Sequence, residues 1–210
     1  LVVMMTYSET NDKGDNDMIK IPRGTQDILP EDSIKWRHIE NKLDELMELY
    51  NYKEIRTPIF ESTELFARGV GDSTDVVQKE MYTFKDKGDR SLTLRPEGTA
   101  AVVRSYIEHK MQGNPNQPVK LYYNGPMFRY EHKQKGRYRQ FNQFGVEAIG
   151  AENPSIDAEV LAMVMHIYES FGLKHLKLVI NSIGDADSRK EYNEALVKHF
   201  EPVIGDFCSD

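Results

Sequence analysis

The chain has 210 residues, room for one domain or two small ones, and its 39% hydrophobic and 29% charged residues are those of a protein that builds a core in water. A net charge of −7 excludes a surface that grips nucleic acid all over, though not a local basic site. No apolar run approaches a membrane span, and the one cysteine, Cys208, excludes a framework of internal disulfides, which suits a reducing cytoplasm.

The first seventeen residues, LVVMMTYSETNDKGDND, set Glu9, Asp12, Asp15 and Asp17 against Lys13 and show no periodicity. A signal peptide needs a basic start and a longer apolar core, and a transit peptide is rich in arginine and poor in acids, so neither fits. Residues 1–17 are expected to be disordered or a leader foreign to the natural chain. Met18 would be the natural start, with the folded part at 18–210. From Asp32 to Tyr50 the apolar residues Ile39, Leu43, Leu46, Met47 and Tyr50 recur on one face of a helix. Asp32 or Ser33 is placed to cap it. YKEIRTPIFE follows as a strand, and Pro58, which cannot donate to a ladder, assigns it to an edge or an interface.

GVGDSTDVVQKEMYTF holds a lone GxG, which lacks the preceding strand and the later spacing of a nucleotide-binding loop. SLTLRPE reads as a strand and TAAVVRSYIEHK as a helix. Two further strands, KLYYNGPMFRYE and YRQFNQFGVEAIG, flank the turn HKQKGR. A helix over 156–171 carries Ile156, Val160, Met163, Val164, Ile167 and Phe171 at helical spacing, with Gly172 to close it. LKLVINSIG is expected to be a last strand and SRKEYNEALVKHFE a last helix. Consecutive antiparallel-looking strands with helices grouped around them predict an α+β fold rather than a doubly wound parallel sheet.

The stretch FRYEHKQKGRYRQF gathers Arg129, Lys133, Lys135, Arg137 and Arg139 in an acidic protein. Such a run is either a solvated face or a clamp for anions. Side chains on a strand alternate faces. Met127, Arg129 and Glu131 share one parity. So do Arg139, Phe141, Gln143, Gly145 and Glu147, while Tyr138, Gln140, Asn142, Phe144, Val146 and Ala148 hold the other. One face therefore offers an arginine, two carboxylates, an amide, a flat aromatic and a glycine that leaves space. That set suits a charged, ring-bearing ligand, provided no bulge breaks the alternation. TLRPEGT adds a third wall: Pro96 and Gly98 bend the backbone and place Glu97 and Thr99 at a helix N-terminus. A carboxylate there either complements the helix dipole or holds a ligand amine.

PRGTQDILPED, TLRPEGTA, GPMFRYE and GRYRQFNQFGVEAIG, in this order, resemble histidyl-tRNA synthetase, a class II aminoacyl-tRNA synthetase. The resemblance runs from Ile21 to about Phe200, and LKLVINSIG shares in it. It implies an antiparallel class II catalytic sheet and a homodimer, with the long helix and the Pro58 strand as the interface-building first motif. It implies L-histidine, ATP with its Mg2+, and tRNA-His as partners in the cytoplasm. Arg129 would touch both the ATP α-phosphate and the histidine carboxylate. Glu131 would bond the adenine, Phe141 would stack beneath it, and Arg137 would reach the outer phosphates. Glu97, Gly98, Thr99 and Gln143 would hold the α-amino group, and Glu147 would accept a bond from the imidazole. The basic turn becomes a phosphate and acceptor-stem clamp.

Those roles agree with the chemistry. Attack of a carboxylate on a phosphate brings two anions together, and the planar fork of arginine suits both. Such transfer is mostly positioning and charge stabilisation. The family's third motif, its histidine-specific segment and its anticodon-binding domain lie further along than Asp210, so 18–210 is expected to be the N-terminal part of the catalytic domain. The alternative is a non-catalytic histidine-sensing paralogue such as the regulatory subunit of ATP phosphoribosyltransferase, which could keep Glu97, Gln143 and Glu147 while losing the ATP residues. Arg95, Arg104 and Arg139 read equally as structural or functional. His38, His109, His132, His166, His175 and His199 show no metal-binding spacing, and no protein metal site is expected.

Overall fold

The computed structural model describes residues 19–70, 80–131, 136–181 and 185–202. The 1–17 leader, most of the GVGDSTDVVQKEMYTF stretch and the lysines of the basic turn lie outside the described residues. The chain forms two compact units, one ending at Ile167 and the other beginning at Tyr168.

In the first unit, helix α1 spans Pro30–Leu49. It starts earlier than Asp32 because Pro30, with φ pre-set and no N–H to satisfy, suits the first helical position. Leu29 is the extended N-cap, without a side-chain cap bond. Asp32 and Ser33 therefore lie inside the first turn, where Glu31 and Asp32 complement the dipole. The expected Pro58 strand divides in two: β1 (Lys53–Glu54) pairs parallel to β5, and β2 (Phe60–Ser62) pairs antiparallel to β4. Pro58 sits in the gap, where no ladder bond is needed. Helix α2 (Thr63–Val70) and strand β3 (Thr83–Lys85) were not expected from the pattern. Strand β4 (Ser91–Leu94) leads through the Pro96 turn into α3 (Thr99–Glu108). Strands β5 (Val119–Phe128) and β6 (Gln140–Ile149) follow, then α4 (Ser155–Ser170), which crosses into the second unit.

The sheets run β1-β5-β6 and β2-β4-β3. The β5–β6 ladder is antiparallel and unbroken, from Val119 opposite Ile149 to Phe128 opposite Gln140. With no bulge, every second residue keeps its face, so the alternation read from the sequence holds over Val119–Phe128 and Gln140–Ile149, while the expected strand residues Arg129–Glu131 and Tyr138–Arg139 lie beyond the ladder. One face carries Tyr122, Phe144, Val146 and Ala148 against Leu46 and Met47 of α1, Tyr52 and Met163 of α4. Met47 is fully buried, and its truncation to alanine should cost about 2–5 kcal/mol. A polar tie reinforces this layer: Lys120 Nζ donates to Glu159 at 2.7 Å and lies 5.4 Å from the Tyr52 ring centroid. Burial and the Glu159 carboxylate together push the Tyr52 phenol up to about 12. The opposite face is covered by α3. Val102 packs there on Val119, Leu121, Tyr123 and Met127, with Phe141 at the margin.

In the second unit, α5 spans Ala186–Phe200 and is capped by Asp185, whose carboxylate accepts from Ser188 N at 2.7 Å. Residues 176–181 of LKLVINSIG are not a strand. Their alternating apolar pattern permits a strand, but a strand exists only where a neighbouring backbone completes its ladder. Neither sheet includes them, and Val179 and Ile180 are 76% and 66% exposed.

Candidate functional site

The site lies where β6, the end of β5 and the start of α3 meet. The turn from β4 to α3 brings Glu97 up to the helix N-terminus. Its carboxylate accepts from Thr99 N at 2.6 Å and Ala100 N at 2.9 Å, two of the amides that a helix leaves without intrahelical partners. The dipole-complementing role is therefore realised. Thr99 directs its hydroxyl across to the sheet and donates to Glu147 Oε1 at 2.7 Å. Helix start and strand are thus tied through two of the expected site residues.

Glu147 is half-buried. Loss of water pushes its carboxyl above the ordinary range, the Thr99 bond opposes that, and the nearby Glu97 charge adds to it. A carboxylate held in this way, with a like charge beside it, gains from a ligand that brings a donor or a cation. Gln143 lies four residues earlier on the same face. Its Nε2 donates to the Tyr123 phenol at 3.3 Å, while its Oε1 is buried without a partner. A buried acceptor left unpaired is costly and marks a position where a ligand donor fits.

Gly145 was expected to leave space for a ligand, but the structure fills that space from within. Tyr123 stands opposite Gly145 in the ladder, and a Cβ on Gly145 or on Gly98 would run into its ring. Both glycines are therefore required by a buried tyrosine. The sequence reading did not single out Tyr123. Its signal was a large aromatic two residues from a strand glycine, legible only once the register is known.

Further along the face, Arg129 donates from Nε to Pro96 O at 2.8 Å, and its guanidinium carbon lies 5.2 Å from the Phe141 ring centroid. Arg129 is thereby fixed between the β4–α3 turn and the aromatic plate. Arg137 NH1 approaches Glu131 Oε2 at 3.5 Å, the arginine side chain 63% exposed and the glutamate 15%. The root of the basic turn is pinned by backbone bonds: Arg129 N to Arg139 O at 2.9 Å, Arg139 N to Gly24 O at 2.7 Å, and Tyr130 N to Glu80 O at 2.7 Å. The Arg139 guanidinium lies 3.9 Å from the Tyr130 ring centroid.

Arg95 and Arg104 are framework. Arg95 donates from Nε to Pro126 O and from NH1 to Thr57 O, and burial lowers its pKa. Arg104 pairs with Glu61 and Glu108. Beside the site a groove of about 900 Å³ runs between α2 and α3, with Leu65, Val103 and Ile107 as apolar wall and Glu97 and Thr99 at its edge.

The structure thus brings Glu97, Gly98, Thr99, Gln143 and Glu147 into one corner, sets Arg129 beside Phe141 of the same sheet face, and pairs Glu131 with Arg137 beyond the end of the ladder. What takes shape is an α+β domain whose antiparallel ladder carries a half-buried carboxylate, an amide with an unpaired oxygen and, further along, an arginine fixed against an aromatic ring.

Residues 24–188 match the family model described as histidyl-tRNA synthetase, and the chain belongs to the histidyl-tRNA synthetase family. It is 92% identical over 193 residues to a histidine–tRNA ligase of Staphylococcus epidermidis, covering 92% of this chain and 46% of that protein. The crystal structure of apo Staphylococcus aureus histidyl-tRNA synthetase superposes with a TM-score of 0.71 at 82% identity, covering 92% of this chain and 45% of that one. A Bacillus halodurans structure described as an ATP phosphoribosyltransferase regulatory subunit/histidyl-tRNA synthetase superposes at 0.64 with 27% identity, covering 76% of this chain and 40% of that one. The chain spans about half the length of the curated relatives it matches. The fold is the mixed, largely antiparallel one of the class II catalytic domain. Among the described residues, no helix is long and apolar enough to cross a membrane.

Proposed function

We propose that this chain is the N-terminal part, residues 18–210, of the catalytic domain of a histidine–tRNA ligase. The full-length protein would join histidine to ATP as histidyl-adenylate with release of pyrophosphate, then pass the histidyl group to the terminal ribose of tRNA-His. One observation carries it: the buried, unpaired Oε1 of Gln143, on the same strand face as Glu147, in a chain of this family. An ammonium is the donor that such an acceptor wants, and a carboxylate four residues away suits an imidazole N–H.

In this assignment Gln143, Thr99 and the Glu97 turn with Gly98 hold the α-ammonium, and Glu147 accepts from the imidazole. Arg129 has its Nε committed to Pro96 O, so its terminal nitrogens are left to bridge the histidine carboxylate and the α-phosphate. Phe141 is the plate for the adenine, Glu131 accepts from it, and Arg137 trades its long Glu131 contact for the outer phosphates. Magnesium arrives on the nucleotide's phosphates. No group of three His, Cys, Asp or Glu among the described residues could hold an ion alone. The basic turn receives the acceptor end of the tRNA. A cytoplasmic homodimer is the assembly proposed.

The sensor alternative is favoured by one fact, the 27%-identical neighbour whose description includes a regulatory subunit. Arg129, Glu131, Arg137 and Phe141 are all in place here, and the 92%-identical relatives are ligases. The test is ATP–pyrophosphate exchange by the full-length protein. Exchange that depends on histidine, and not on other amino acids, is the expected result. Histidine binding without exchange would move the sensor ahead.

A further inference from the structure

Two carboxylates from different elements stand at the site, and one residue holds both. Thr99 donates from its backbone N to Glu97 Oε2 at 2.6 Å and from its hydroxyl to Glu147 Oε1 at 2.7 Å. The ladder fixes the backbone of Glu147 opposite Leu121, so what remains free is the side chain, with three rotatable bonds. The Glu97 charge lies close enough to repel it. Among the described residues, no cation and no second donor reaches the Glu147 carboxylate. The Thr99 hydroxyl is therefore the group that keeps it turned toward α3. An ionised carboxylate only accepts, so the single hydroxyl proton is spent on Oε1, and Oε2 is the oxygen left for a ligand donor.

We propose that Thr99 is a positioning residue for the ring end of the ligand: its hydroxyl pins Glu147 against the charge of Glu97, so that the free oxygen meets an imidazole N–H in one geometry. The inference rests on the assignment of Glu147 to the imidazole. It gives Thr99 a second duty, exerted through Glu147, beside the ammonium contact for which its hydroxyl oxygen keeps its lone pairs. A valine at this position keeps the shape and the backbone N–H and removes the hydroxyl alone, whereas a serine keeps the hydroxyl. Thr99 is exposed, and the N-cap of α3 is Gly98, so neither change removes a helix cap.

The test is calorimetric titration of the full-length protein with L-histidine and with 3-(imidazol-4-yl)propionate, which keeps the ring and lacks the ammonium. Thr99→Val should weaken the deamino ligand about three- to tenfold, as expected when a charged acceptor loses its orientation, and histidine at least as much. Thr99→Ser should hold both within about twofold. In a Glu147→Ala background, Thr99→Val should change the deamino ligand by less than about twofold, because the two residues act as one unit. A Thr99→Val variant that keeps its grip on the deamino ligand, whatever it does to histidine, would overturn the positioning role and leave the ligase assignment standing. Equal losses with serine and valine, or losses that persist without Glu147, would mean that Thr99 only supports the fold. A parent protein that binds histidine and not the deamino ligand would overturn the proposal alone, since the ring end would then hold nothing by itself. Failure of the parent protein to bind histidine, or a neutral Glu147→Ala, would overturn both.

Discussion

Glu147 shows how a single residue can serve two opposed demands. Its folded pKa lies above the ordinary glutamate value of 4.5, chiefly through burial. The folded state then binds the proton more tightly than the unfolded chain, so stability falls as pH rises from about 4.5 through the raised value. Glu147→Gln should therefore raise the melting temperature of the ligand-free protein at pH 7, with the gain shrinking as pH approaches 4. The same variant should weaken histidine use by about ten- to hundredfold while changing ATP use little, since a charged bond to a buried donor is lost. A glutamine variant that is no more stable at neutral pH and still selects histidine would remove Glu147 from the pocket. Arg129 makes a different demand, for shape as well as charge. Lysine keeps the cation but not the fork, whose Nε reaches Pro96 O and whose terminal nitrogens are proposed to bridge two anions. Arg129→Lys in the full-length protein should lower histidine-dependent pyrophosphate exchange by about 10²-fold, mostly in kcat, as for loss of a preorganised electrostatic donor. Near-normal exchange with an intact circular dichroism spectrum would leave Arg129 a framework residue like Arg95.

At the scale of elements, the site is made where separate segments are forced into register. The basic turn is held at its root by Gly24, far away in sequence, whose φ of +87° suits glycine and whose carbonyl takes the Arg139 N–H. A Cβ at Gly24 would lie 2.7 Å from Arg139 Cγ. Gly24→Ala is thus expected to destabilise the fold by about 1–3 kcal/mol, from a strained backbone and a displaced side chain. It should also raise the KM for ATP more than that for histidine, because Arg139 adjoins the phosphate-side residues. Unchanged melting and ATP kinetics would detach the PRGT segment from the turn. The β5–β6 hairpin was legible from its two runs of alternating residues, because the ladder has no bulge to shift the parity. The strand expected at LKLVINSIG is not formed over residues 176–181, since alternation states which residues could share a face and says nothing of whether a partner backbone is there. The break at Pro58 and the early start of α1 at Pro30 follow the same chemistry: proline's missing N–H is tolerated only where no bond was due.

At the scale of the molecule, α1 and the segment after it leave Ile34, Ile39, Leu49, Ile59 and Phe60 exposed, apolar surface that a second copy of the chain would cover. Dimers are therefore expected by light scattering at micromolar concentration. A monomer at every concentration would count against the interface assigned to these elements. The sequence by itself determined the α+β class, the two faces of the β5–β6 ladder, and the membership of Phe141, Gln143 and Glu147 in one face, because side-chain alternation is a property of the backbone alone. It also carried the strings that place the chain in its family. Only the tertiary structure decided that Arg95 is framework, that Glu97 spends both carboxylate oxygens on the start of α3, and that the gap beside Gly145 is filled by Tyr123. Each of those depends on which atoms from distant segments come within hydrogen-bonding or van der Waals reach, a matter of register and packing that no local pattern contains.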